Sequence, residues 1–93
     1  MTNNVSNTFC KITGRVQGVG FRAWSKKMAK TYNLKGWVKN CPDESVELEI
    51  SGEETKQQKF IKDCERGPIF SKVIKVESIE RPYKKFDGFE ILY

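Results

Sequence analysis

Gly14-Arg15-Val16-Gln17-Gly18-Val19-Gly20-Phe21-Arg22 sets three glycines in one short stretch with an arginine at its far end. Before it runs Phe9-Cys10-Lys11-Ile12-Thr13, aromatic and β-branched residues that favour an extended strand. After it, Phe21, Trp24, Met28 and Tyr32 recur at helical spacing, which predicts a helix from Phe21 to Tyr32. Strand, glycine-rich loop and helix in that order can present a row of backbone N–H groups to an anion. The helix dipole and the Arg22 guanidinium add to the same positive field, and an oxyanion of phosphate geometry suits it. Two other phosphate loops are excluded by spacing: no Lys-Ser or Lys-Thr follows the last glycine, and the dinucleotide fingerprint places its glycines differently. On the residues alone two readings stay open, an anion cradle or a tight strand-to-helix turn.

Working outward, a first strand is expected over Thr8–Gly14, followed by the loop Arg15–Gly20 and the first helix, with Asn33 as its C-terminal cap. A second strand follows over Lys35–Asn40, then turn residues Cys41-Pro42-Asp43-Glu44 and a third strand over Ser45–Ser51, closed by Gly52. In that third strand Val46, Leu48 and Ile50 alternate with Glu47 and Glu49, the period of a half-buried strand with its glutamates toward solvent. A second helix is expected over Glu53–Arg66, with Phe60, Ile61 and Cys64 inward and Gly67-Pro68 stopping it. Strands over Ser71–Arg81 and Phe86–Tyr93 complete the chain. The order β-α-β-β-α-β predicts an α+β, ferredoxin-like sandwich: an antiparallel sheet with two helices on one face, plus a short C-terminal strand. Residues 1–7 are polar and are expected to form a disordered lead to a single domain over residues 8–93.

The chain has 93 residues and a formal charge of +5, which favours anionic partners but does not separate a small anion from a nucleic acid. No apolar run approaches the roughly 20 residues that span a bilayer, and the polar start has no signal-peptide core. A cytoplasmic monomer without membrane partner is expected. There is no histidine, so the usual general base and the commonest metal ligand are both absent. Chemistry must rest on arginine, amides, carboxylates, backbone dipoles or the substrate itself. Cys10, Cys41 and Cys64 are odd in number and lack metal-knuckle spacing; Cys10 and Cys64 fall at apolar-pattern positions and read as core.

The nine-residue string resembles the acylphosphatase signature Gly-Arg-Val-Gln-Gly-Val-x-Phe-Arg. Gly36-Trp37-Val38-Lys39-Asn40 resembles that family's second motif, Gly-Trp-Val-x-Asn, in the right order in a chain of the right size. The resemblance runs from about Thr8 to Tyr93 and implies the same fold. It implies that Arg22 binds the substrate phosphate, which a guanidinium does in bidentate fashion. Backbone N–H groups of Gln17, Gly18, Val19, Gly20 and Phe21 would take the other oxygens, with Arg15 as support and Gln17 acting mainly through its backbone. Asn40 would orient the attacking water, and the substrate's own phosphate would take up the proton. The implied reaction is hydrolysis of small acyl phosphates to a carboxylate and inorganic phosphate, the latter also an inhibitor, with no cofactor and no metal. Trp37 reads as packing and Gly36 as a site of close backbone approach. Two alternatives stand beside this: a non-catalytic phosphate- or acyl-phosphate-binding domain, and an RNA-binding module of the same strand order. Outward Glu47 and Glu49 and the missing ribonucleoprotein motif argue against RNA. One departure stands out: where many family members have Asp-Gly-Ser-Val, this chain has Asp43-Glu44-Ser45-Val46. The missing glycine is expected to change the turn, and Glu44 to repel an anionic substrate weakly.

Overall fold

Alternating apolar residues on three neighbouring strands bury one face of a five-stranded sheet under two helices. The computed structural model describes residues 5–93. Its elements are β1 (Val5–Arg15), α1 (Phe21–Thr31), β2 (Lys35–Asn40), β3 (Val46–Glu53), α2 (Glu54–Arg66), β4 (Lys72–Arg81) and β5 (Phe89–Leu92). The strand order is β4-β1-β3-β2-β5, with every pairing antiparallel except β2 with β5. The core holds Cys10 and Ile12 from β1, Val38 from β2, Val46, Leu48 and Ile50 from β3, and Phe21, Ala29, Phe60 and Cys64 from the helices. Each fully buried large apolar side chain among these contributes about 1.5–3 kcal/mol. Burial in this core pushes the Cys10 thiol up to about 12 and raises that of Cys64 as well.

Several sequence expectations shift. The expected antiparallel sheet is mixed, because β5 runs parallel beside β2 (Gly36 opposite Phe89) and is shorter than the Phe86–Tyr93 segment expected. The disordered lead is overturned for residues 5–7: Val5, Ser6 and Asn7 pair with Glu53, Gly52 and Ser51 of β3, and Asn7 is fully buried. Its carboxamide donates to Glu49 at 3.0 Å and to the Lys84 carbonyl at 3.2 Å. The same expectation for residues 1–4 lies outside the described residues. β3 continues through Gly52 to Glu53 because β1 pairs with it that far.

Glu49 is not a solvent-face charge. It is 7% exposed, bonded to Arg81 at 2.8 Å and to Asn7, and Arg81 stacks over the Phe9 ring at 4.2 Å. The buried line of α1 is Phe21, Ser25 and Ala29, with Trp24, Met28 and Tyr32 only partly covered at its margin. On α2, Gln57 takes an inner position and Ile61 a marginal one. Gln57 is tolerated there because its Nε2 donates to the carbonyls of Ser6 and Gly52 while its Oε1 accepts from Thr8. Asn33 does close α1, at φ 57: its N–H donates to Lys30 and that of Leu34 to Ala29, a left-handed C-terminal cap.

Gly36 is the site of close approach expected of it. A Cβ there would fall on the Glu49 carbonyl of the neighbouring strand, and its own N–H donates to the Gly88 carbonyl at 2.9 Å. That contact holds β2 tightly between β3 and the entry to β5. At the other end of β2, Asn40 lies beside the start of α1.

Candidate active site

The cradle loop leaves the end of β1 at Arg15 and enters α1 at Phe21. Gly20 is the N-cap of that helix, at φ 79 and ψ 21, and Gly18 lies at φ 73. A Cβ at either position would meet no protein atom within 4 Å, so glycine is required by backbone conformation and not by protein crowding. No side chain caps the helix. Among the described residues, no amide from Gln17 to Ala23 donates to a backbone carbonyl; the first to do so is Trp24, to Gly20 at 2.9 Å. A run of seven consecutive N–H groups is therefore left open at the positive end of a helix dipole.

Arg22 projects from the first turn of α1. One of its guanidinium N–H groups donates to the Leu92 carbonyl at 3.3 Å, and the guanidinium lies 4.8 Å from the centre of the Tyr93 ring. Neither contact neutralises it, and no carboxylate pairs with it among the described residues. Its charge is available to an anion.

Asn40, at the end of β2, faces the same space. A cleft of about 190 Å³ is lined by Gly18, Gly20, Phe21 and Arg22 of the cradle, by Asn40, and by Val16, Ala23, Ile91 and Tyr93 as its apolar walls. The Asn40 Oδ1 is buried and has no hydrogen-bond partner among the described residues. A carboxamide oxygen so placed is an acceptor awaiting a donor.

The structure thus brings Arg22, Asn40, Gly18, Gly20 and Phe21 to one cleft. Val19 packs instead against the core. Gln17 does not line the cleft, and its side chain is engaged: Nε2 donates to the carbonyls of Cys41 at 2.9 Å and Ser45 at 2.8 Å. Beside the backbone role expected of it, Gln17 thus ties the loop to the hairpin that follows Asn40. The Arg15 side chain is exposed and makes no hydrogen bond or ion pair with a described residue, while its backbone pairs with Lys72 of β4. The contribution of Ile91 and Tyr93 was not anticipated; it depends on a parallel strand pairing between segments fifty residues apart, for which no local pattern gives a signal.

The turn after Asn40 is tied down from the other face of the sheet. Lys11 of β1 meets Asp43 at 2.8 Å, and Asp43 accepts from the backbone N–H of Ser45 at 3.0 Å and from its hydroxyl. These bonds hold the Asp43 carboxyl well below the usual carboxylate range and raise Lys11. Cys41, partly buried in the same turn, has its thiol raised by desolvation.

The Acylphosphatase family model matches residues 8–91, which include the cradle, Arg22 and Asn40. The chain belongs to the acylphosphatase family. An acylphosphatase of Clostridium acetobutylicum is 40% identical over 84 residues, 89% of this chain and 92% of the relative. The crystal structure of acylphosphatase from Bacillus subtilis superposes with a TM-score of 0.91 at 37% identity, covering 95% of this chain and 99% of that one. An acylphosphatase from Coxiella burnetii superposes with a TM-score of 0.93 at 30% identity, covering 96% and 94%. The fold is that of the family, ferredoxin-like α+β, and the activity is that of an acylphosphatase, a hydrolase.

Proposed function

We propose that the cradle amides and Arg22 bind the phosphoryl group of a small acyl phosphate, and that Asn40 positions the water that attacks phosphorus. The observation carrying this reading is that Asn40, whose buried Oδ1 has no partner among the described residues, lines the same cleft as the open amides and the unpaired guanidinium. A phosphoryl group seated on the amides of Gln17–Phe21 has its oxygens met by N–H donors and by the helix dipole. The Arg22 fork adds charge-assisted bonds. A water bonded to the Asn40 carboxamide then stands opposite the leaving group. Asn40 is no base near neutral pH, so the water proton passes to a phosphate oxygen of the substrate itself. The leaving carboxylate is a weak base and needs no general acid. Loose phosphoryl transfer leaves the protein mainly orientation and charge stabilisation to supply, and the cradle supplies both without a metal.

The reading is tested by phosphate release from benzoyl phosphate in the presence of chelator. Asn40→Ala should lower turnover by about 10²–10³-fold, as loss of a preorganised polar group does. Arg22→Ala should weaken inhibition by inorganic phosphate severely. Wild-type turnover in the first, or unchanged phosphate inhibition in the second, refutes the corresponding role.

The same reading takes the enzyme as a cytoplasmic monomer acting on small acyl phosphates, with inorganic phosphate as product and inhibitor and no nucleic-acid or membrane partner. No helix among the described residues is long and apolar enough to cross a membrane. Ile69, Phe70 and Ile74 are exposed by 75% or more around the α2–β4 connection, a concentration of apolar surface that makes sedimentation the direct check on the monomer.

A further inference from the structure

We propose that the Gln17 side chain is a positioning residue for the hydrolytic step, locking the phosphate cradle to the hairpin that carries Asn40. The proposal rests on the reading of Asn40 given above. Cradle and hairpin belong to strands that are not neighbours: β1 delivers the cradle, β2 delivers Asn40, and β3 lies between them. No ladder hydrogen bond joins the two directly. Gln17 bridges them with both hydrogens of one amide group, to the Cys41 carbonyl at 2.9 Å and the Ser45 carbonyl at 2.8 Å.

These two carbonyls form the neck of the β2–β3 hairpin. Cys41 follows Asn40 directly, and its N–H donates to Ser45 at 2.9 Å, while the Glu44 N–H donates to Cys41 at 3.0 Å. Each carbonyl therefore keeps a backbone partner when Gln17 is removed, since a carbonyl oxygen has two lone pairs to offer. Gln17 is not needed to satisfy buried polar groups. What it fixes is distance: how far the hairpin neck stands from the loop that seats the phosphoryl group.

That distance matters because no hydrogen bond to a described residue holds the Asn40 Oδ1, so the water's position is inherited from the backbone of residues 40 and 41. A misplacement of about 1 Å between reacting groups costs on the order of 10²-fold in rate. The residue type fits the task. Only a primary amide offers two donors at a fixed angle on an uncharged arm; a carboxylate there would turn lone pairs toward two carbonyl oxygens.

The experiment is a double-mutant cycle on benzoyl phosphate hydrolysis with Gln17→Met, Asn40→Ala and the double variant, alongside inhibition by inorganic phosphate and thermal midpoints. Gln17→Met should lower kcat by about 10–10²-fold with phosphate inhibition changed by less than about 3-fold, and should cost less than about 3-fold once Asn40 is Ala. An equal loss in both backgrounds, unchanged kcat, or phosphate affinity lost in step with kcat would overturn the proposal. Wild-type turnover in Asn40→Ala alone removes the underlying reading as well, which separates the two failures. Gln17→Glu gives a second readout, usable even where Gln17→Met fails to fold. Protonation restores one donor, so its kcat relative to wild type should climb as pH falls through the carboxyl's titration. A ratio independent of pH overturns the proposal.

Discussion

Glu44 occupies a left-handed position, φ 72, at the tip of the β2–β3 hairpin, four residues past Asn40. Its N–H closes on the Cys41 carbonyl at 3.0 Å, and the Cys41 N–H closes on Ser45 at 2.9 Å. This is the bond pattern of a three-residue hairpin loop whose last member turns left-handed, the place that glycine suits. The missing glycine noted in the sequence has therefore left the turn intact and forced an L residue into it. The conformation costs an L residue about 1–2 kcal/mol. Glycine would remove that cost and add about 0.5–1 kcal/mol through the freedom of the unfolded chain. The Glu44 side chain makes no hydrogen bond or ion pair with a described residue, so nothing else is lost. Glu44→Gly should thus stabilise by about 0.5–1 kcal/mol and raise Tm by about 2–8 °C in a domain of this size.

The charge of Glu44 is separable from its backbone by comparison with Glu44→Ala. Alanine removes the charge and keeps the left-handed cost, so its Tm should stay near wild type while glycine's rises. If the charge also repels substrate, KM for benzoyl phosphate should fall by the same factor in both variants. Thermal unfolding followed by circular dichroism reads the first effect and steady-state kinetics the second. A Glu44→Gly protein no more stable than Glu44→Ala would refute the conformational argument.

Gly36→Ala should destabilise by about 3 kcal/mol or more, because its Cβ meets backbone and not a movable side chain, and φ is 148 there; urea unfolding measures it. Asp43 has a folded-state pKa below its unfolded one, so its contribution is fully present above about pH 4 and is lost as pH falls below that. Asp43→Asn should accordingly flatten the fall of Tm in acid while changing its slope little near neutrality. At pH 8 a thiol reagent should label at most Cys41 in the native protein and all three cysteines in denaturant, because Cys10 and Cys64 are buried and unionised; native labelling of two or three thiols would contradict the packing. Asn40→Ala should keep or slightly raise Tm while turnover falls, since its side-chain oxygen makes no protein bond that could be lost.

What the sequence disclosed divides by how local the causes are. The cradle was legible because its causes lie within nine residues: glycines at left-handed positions, then a helix start that leaves its amides open. Asn40 was legible through its motif and its place at a strand end. Glu49 was misread because the residues that bury it, Asn7 and Arg81, lie 42 and 32 positions away and meet it only through the register of β1 and β4. Asn7 falls within the expected disordered lead for the same reason, since one of its acceptors, Lys84, is 77 residues distant. The parallel placement of β5, and with it the Ile91 and Tyr93 walls of the cleft, is likewise set by nonlocal pairing.

The structure adds a criterion that the string of residues lacks, namely which groups the fold leaves unsatisfied. Buried polar atoms in proteins are bonded in the large majority, so each exception asks for a cause. Among the described residues two buried side-chain oxygens lack partners, Asn7 Oδ1 and Asn40 Oδ1. Asn7 already spends both its donors on Glu49 and Lys84, and its unused oxygen sits inside that structural knot. The Asn40 Oδ1 has no partner among the described residues, while the hairpin behind it is bonded to Gln17 on one side and to Lys11 through Asp43 on the other. On the proposed reading, the Asn40 carboxamide is held ready for the attacking water. The open amides of the cradle and the unpaired Arg22 stand around the same cleft, and the three together are complementary to an anion with a water beside it.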